Sequence, residues 1–150
     1  MKIKPIASSS KGNAYLVSDG TTTILLECGL PLKDLKRRTN FTVPSDIAAC
    51  LVTHCHNDHA KSLNDMLNAG VDCYALKDTF ESKGVTEHHR AKNIEINKLY
   101  TVGTFNFITL EMKHDVPCVG FLIHSKETGE RLLFATDTYL IKYAPKDLDY

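Results

Sequence analysis

The chain has no excess of charge. Its 18 basic and 18 acidic side chains give a formal net charge of zero, so no whole-molecule field draws in a polyanion. No Cys-x-x-Cys pair occurs among Cys28, Cys50, Cys55, Cys73 and Cys118. An odd count with mostly apolar neighbours fits reduced thiols rather than a disulfide framework. No apolar run is long enough to span a bilayer. The opening Met1-Lys2-Ile3-Lys4-Pro5 lacks the apolar stretch of a signal peptide. Together these features predict a cytoplasmic protein with no membrane partner. Repeats and low-complexity tracts are also missing, and no histidine follows His124.

What remains is an ordinary globular composition. With 150 residues, 43% hydrophobic and 24% charged, the chain is expected to form one domain, residues 1–150, with its own core. The basic groups Lys33, Lys36, Arg37, Arg38 and Arg90, Lys92 read as solvated faces. The most informative segment is His54-Cys55-His56-Asn57-Asp58-His59, which follows the apolar run Ile47 to Thr53. Such a run reads as a buried strand. Ligand-type side chains at its end would lie on a sheet edge, where open sheets keep their sites. In an extended segment His54 and His56 project to the same side and can grip one ion through neutral imidazoles. Asp58 and His59 converge only if the backbone turns after Asn57, which Asn-Asp favours. The spacing points to two neighbouring metals. The competing reading is a plain His-rich surface loop, or a helix start capped by Asp58. Cys55 should point away from the two histidines and reads as a buried structural thiol.

The rest of the chain is a succession of short strands and a few helices. Strands are expected at Ile3 to Ile6, Ala14 to Ser18 and Thr22 to Glu27, the last two joined by the hairpin signal Asp19-Gly20. A helix over Pro31 to Arg38 starts with proline in its first turn. Ala60 to Ala69 shows one apolar stripe of Ala60, Leu63, Met66 and Leu67, with Gly70 to end it. A strand over Val71 to Ala75 and a helix over Lys77 to Lys83 follow, then a polar stretch from Val85 to Asn97 with no clear pattern. Strands return at Leu99–Val102, Phe105–Met112, Val119–His124 and Leu132–Ala135. Glu27, His114 (with Asp115 beside it) and Asp137 each follow a strand. Each alone has a bland reading, a surface histidine or a helix cap. Their repetition at strand ends is the signal, because a parallel or mixed sheet gathers such ends on one rim.

In this order and context, His54, His56, Asp58, His59, then His114, then Asp137 resemble the metallo-β-lactamase superfamily. Leu26-Glu27-Cys28-Gly29 is similar to the family's acidic strand end, with Glu in place of the usual Asp. The turn-rich Ser8-Ser9-Ser10-Lys11-Gly12-Asn13-Ala14 resembles the YycJ/WalJ-like branch of bacteria and phages, which is tied to DNA exonuclease activity. The resemblance implies an α/β fold, an αββα sandwich. It covers the N-terminal half plus the start of the second half, so the chain is expected to be C-terminally truncated or a natural short form. It also implies two divalent ions, zinc or manganese. His54, His56 and His114 would hold one, Asp58 and His59 the other, and Asp137 would bridge them. A water between such ions becomes a nucleophile near neutral pH, and Asp58 could orient it or take its proton. Glu27 would support the loop rather than hold metal.

The implied function is a metal-dependent hydrolase, a phosphodiesterase or DNA exonuclease with a nucleic acid or nucleotide substrate. Ser9, Ser10 and Asn13 could touch a phosphate, or simply form a turn. His88-His89-Arg90 reads as a solvated loop. Cyclic-nucleotide, ester, thioester or lactam hydrolysis within the same superfamily is the second reading. A non-catalytic metal-binding remnant is the third, because the family's final histidine has no counterpart here. An incomplete sandwich would leave a sheet face bare, which predicts a homo-oligomer formed through that face.

Overall fold

The computed structural model describes residues 1–141 and 145–150. A first sheet of six strands has the order β1 (Lys2–Ser9), β2 (Gly12–Ser18), β3 (Thr23–Leu26), β4 (Ala49–Leu51), β5 (Cys73–Leu76), β6 (Ala91–Ile94). β1 to β3 are antiparallel, and β3 through β6 run parallel. A second sheet of four antiparallel strands has the order β10 (Arg131–Phe134), β9 (Cys118–Ser125), β8 (Phe105–Met112), β7 (Leu99–Val102). The helices are α1 (Leu32–Arg38), α2 (Asn57–Ala60), α3 (Leu63–Asn68) and α4 (Lys77–Ser82).

Period-2 alternation in the short strands builds two cores at once. On one face of the first sheet, Leu25, Cys50, Val52, Cys73 and Ala75 pack with Leu35, Leu63, Met66 and Phe80 of the helices. On the other face Val17, Ile24, Leu26, Ala49 and Leu51 meet Phe105, Phe107, Phe121 and Ile123 of the second sheet. The architecture is therefore helices on a sheet on a sheet. The outer face of the second sheet carries an apolar row across all four strands, Leu99–Ile108–Leu122–Leu133, in register. Among the described residues no helix packs over it. Asp149 and Tyr150 hydrogen-bond along the free edge of β10 to Arg131 and Leu133. Among the described residues no helix is long and apolar enough to cross a membrane.

Several elements differ from the sequence expectations. The strand expected over 47–53 is only Ala49–Leu51; Val52 N–H still donates to the Tyr74 carbonyl of β5 at 2.9 Å, and Thr53 then leaves the ladder for other partners. Thr53 N–H donates to Glu27, and Thr53 carbonyl accepts from Val119 N–H. The helix expected over 60–69 is two helices. The Ser62 N–H and hydroxyl both donate to the Cys28 carbonyl, at 3.0 and 3.1 Å, and this pulls the chain out of helical geometry. The first piece begins at Asn57, so the turn expected there is a helix start, and Asp58 makes no side-chain cap. The polar stretch after Val85 contains β6, an edge strand of mostly polar or small residues in which Asn93 is exposed and Ile94 buried. Cys55 is half-buried rather than a core thiol, unlike Cys28, Cys50, Cys73 and Cys118.

The sheets are tied together beside the first hairpin. Asp19 Oδ1 accepts from the Thr21 and Thr22 N–H groups at 3.1 and 2.9 Å, and Oδ2 accepts from the Thr104 and Ser125 hydroxyls at 2.6 and 2.7 Å. Partial burial opposes ionisation of Asp19. The hydrogen bonds from Thr104, Thr22, Ser125 and Thr21 outweigh it and lower the carboxyl from 3.8 to about 2. A folded value below the unfolded one stabilises the fold above the unfolded value, and that stabilisation is lost as pH falls through the folded value. Asp19→Asn is expected to cost about 1 kcal/mol at neutral pH, a modest figure because solvent screens this site. In thermal melts at stepped pH the gap between variant and wild type should close between 3.8 and about 2.

Candidate metal centre

The C-terminal ends of β3, β4, β8 and β10 meet on one rim, and each delivers part of a cluster. β4 leads into Thr53 and His54, β3 into Glu27, β8 towards His114, and β10 towards Asp137. Val119 N–H donates to Thr53 carbonyl at 3.0 Å and joins the two sheets at this rim.

The hexapeptide is held from below by the segment after β3. Cys28 N–H donates to His59 carbonyl at 2.8 Å, and Gly29 N–H to Asn13 carbonyl at 3.0 Å. A side chain at position 29 would collide with the Asp58 carbonyl. Gly29 is thus required by close backbone approach. Glu27 is fully buried and has φ of 65°, an unusual left-handed conformation for a side chain of this size. Its Oε1 accepts from Thr53 N–H at 3.0 Å, and its Oε2 lies 3.0 Å from His59 Nδ1. Burial raises the Glu27 carboxyl against the pull of His59 and Thr53. Burial opposes protonation of His59, but the bond to Glu27 and the charges of Glu27, Asp58 and Asp137 outweigh it and raise the imidazole.

The structure brings two groups of ligand atoms together. In one, His54, His56 and His114 offer nitrogens that lie within 4.8 Å of one another, and in the other two nitrogens of His54 and His59 and a carboxylate oxygen of Asp137 lie within the same distance. The groups overlap at His54. Asp58 sits at the edge of the second, with Oδ2 3.3 Å from His59 Nε2, while Asp137 Oδ2 is 2.9 Å from that nitrogen. Asp137, like Glu27, has positive φ, 49°. Two carboxylates of one centre are therefore held in strained backbone, as is common at functional sites.

The donor set fits a cation. His54 is 0% exposed, and its Nε2 is buried without a hydrogen-bond partner among the described residues. An orphaned buried nitrogen is costly unless something fills its lone pair. Its Nδ1 lies 2.8 Å from Thr53 Oγ1, so an Nδ1–H donating there leaves Nε2 bare towards the cluster. Burial, then the neighbouring His59, His114 and His56, lower His54 to about 3. It is thus a neutral imidazole at physiological pH, the state a metal ligand needs. His59 shows the same arrangement, with Nδ1 committed to Glu27 and Nε2 facing two carboxylates.

The other expected residues lie outside the two groups of ligand atoms. Asn13 is buried, and its amide donates to the Asp58 and Ser9 carbonyls at 3.2 and 3.1 Å, so it braces the loop. Ser9, the last residue of β1, and Ser10, in the turn that follows, are both exposed. His88 and His89 stack on each other, and Arg90 pairs with Asp72. Sequence reasoning missed Thr53 and Cys118 as partners of His54. Cys118 Sγ lies 3.8 Å from His54 Nδ1, and burial first, then the charges of Glu27 and Asp137, push its thiol up to about 12. Asp115, 3.1 Å from His114 Nε2, was signalled only by its place beside His114.

Removing the Glu27 carboxylate would orphan Thr53 N–H and the His59 proton together. Glu27→Ala is expected to destabilise the fold by about 3 kcal/mol, in the range for breaking a buried pair. Urea denaturation measures it, and a change under 1 kcal/mol would show that the bracing is dispensable.

Residues 22–148 match the family model described as a beta-lactamase superfamily domain. The chain is 25% identical over 151 aligned positions to the exodeoxyribonuclease WalJ of Streptococcus pneumoniae, which covers 91% of this chain and 54% of that protein. It thus spans about half the length of the curated relatives it matches. Among solved structures it is similar to the metallo-beta-lactamase fold protein YhfI of Bacillus subtilis, with a TM-score of 0.68, 20% identity, and 87% and 59% of the two chains covered. A metallo-beta-lactamase of Cronobacter sakazakii gives a TM-score of 0.72 at 14% identity, with 93% and 61% covered. The strand-end cluster, the two-sheet architecture and the matched span agree, and the chain belongs to the metallo-β-lactamase superfamily.

Proposed function

We propose that the cluster seats two divalent ions, zinc or manganese, and serves hydrolysis of a phosphodiester in a nucleic acid or nucleotide. The observation that carries this reading is the bare, buried His54 Nε2, surrounded by three further imidazoles and by Asp58 and Asp137. The exodeoxyribonuclease relative supports DNA as the polymer.

His54, His56 and His114 would hold one ion. His59 and Asp58 would hold the other, with Asp137 between them. Bound ions would acidify water and neutralise charge on the attacked phosphate. Asp58 is half-buried at the cluster edge, placed to orient the attacking oxygen or accept its proton. Glu27 keeps His59 Nε2 aimed at the cluster. Thr53 does the same for His54, the usual way a neighbour fixes a ligand tautomer. Ser9 and Ser10 offer hydroxyls for a phosphate, while Asn13 holds the loop on which Asp58 stands.

Calorimetric titration with zinc is expected to give roughly two ions per chain for a dinuclear centre. His54→Ala and Asp58→Ala should lower that stoichiometry or weaken binding by 10-fold or more. Unchanged stoichiometry in both would discard the site. End-labelled single- and double-stranded DNA incubated with manganese should be shortened by wild type and spared by Asp58→Ala.

The apolar row Leu99–Ile108–Leu122–Leu133 further suggests that copies pair through the second sheet. Light scattering at micromolar concentration should show a species heavier than one chain, which Leu122→Asp returns to monomer. A strictly monomeric wild type would overturn this.

A further inference from the structure

Beside the cluster stands an aromatic ring that neither the fold nor the ion site uses. Tyr139 is 82% exposed, the highest value among the exposed large apolar side chains of the described residues. Its ring centroid is 6.3 Å from that of His114, tilted by 43°. Its hydroxyl makes no hydrogen bond among the described residues. The ring is nevertheless not loose in position. Tyr139 N–H donates to Lys113 carbonyl at 2.9 Å, which fastens the segment to the end of β8. Thr138 Oγ1 donates to Leu140 carbonyl at 3.0 Å and closes the next turn. The left-handed conformation of Asp137 turns its carboxylate to His59 two residues before the ring emerges.

We propose that Tyr139 is a stacking platform for a nucleobase next to the bond that is cut, so that the preferred substrate is an unpaired polynucleotide end. This rests on the reading of the cluster as a phosphodiesterase centre and names its substrate class. A bare tyrosine face costs free energy in water and gains by covering a flat π-surface. Base–aromatic stacking is tolerant of sequence because every base has such a face. A base inside a duplex has both faces already covered and a terminal base pair has one covered, whereas an unpaired end base offers a free face without the rest of a duplex to accommodate, which favours the unpaired end. The phenol hydroxyl takes no part, so phenylalanine should substitute for tyrosine.

The test uses the 150-residue chain with zinc and a short phosphorothioate oligothymidylate ending in 2-aminopurine. Wild type and Tyr139→Phe are expected to quench the 2-aminopurine on binding. Tyr139→Ala should lose the quenching and bind roughly 5- to 150-fold more weakly, the span of one stacked base. Its melting temperature should match wild type, because the ring buries little. Tyr139→Ala that quenches and binds like wild type overturns the proposal. So does a wild type that binds without quenching, or does not bind. Zinc stoichiometry and hydrolysis of bis(p-nitrophenyl) phosphate are followed in parallel. Their loss in wild type with quenching intact refutes the hydrolase reading alone. Their presence with Tyr139→Ala unchanged refutes the stacking alone.

Discussion

The buried carboxylate of Glu27 is the constraint on which the rest of the site depends. It sits with no solvent contact at the end of β3, spends one oxygen on the N–H of Thr53 and the other on His59. One group thereby fixes the exit of β4 and the orientation of an imidazole in the next helix. A charge in this position could not stand alone, since an unpaired buried carboxylate would be neutralised or expelled. Its partners and its left-handed backbone are therefore parts of a single arrangement. Gly29, pressed against the Asp58 carbonyl, and Asn13, bonded to the same carbonyl, close the arrangement from the opposite side.

The two-core architecture follows from the alternation in strands of only three to eight residues. Leu25 and Cys50 look towards the helices, while Ile24, Leu26, Ala49 and Leu51 look towards the second sheet. Because β3 and β4 are buried on both faces, they read as continuous apolar runs. That is why their ends were visible in the sequence as the places where polar residues begin.

Much of the site was legible for this reason. Glu27, His54, His114 and Asp137 each stand where an apolar or alternating run stops, and the topology then brings those ends to one rim. The break between α2 and α3 was not legible. The stripe of Ala60, Leu63, Met66 and Leu67 is continuous in a helical projection, and only a long-range bond from Ser62 to Cys28 interrupts it. β6 was hidden because an edge strand in Ala91–Ile94 needs no apolar alternation. The bracing role of Asn13 was equally invisible, since its partner lies 45 residues away. Thr53 and Cys118 were missed because a neighbour that orients a ligand carries no spacing signature of its own.

The seam between Thr53 and Val119 has a consequence for how the protein comes into being. The hexapeptide belongs to the first sheet, but His114 and Asp137 arrive on strands of the second. As the chain leaves the ribosome, the early segment emerges with an incomplete set of donors. Only when β8 to β10 dock do the described donors of the cluster come together. Docking of the two sheets is the event that gathers the candidate cluster.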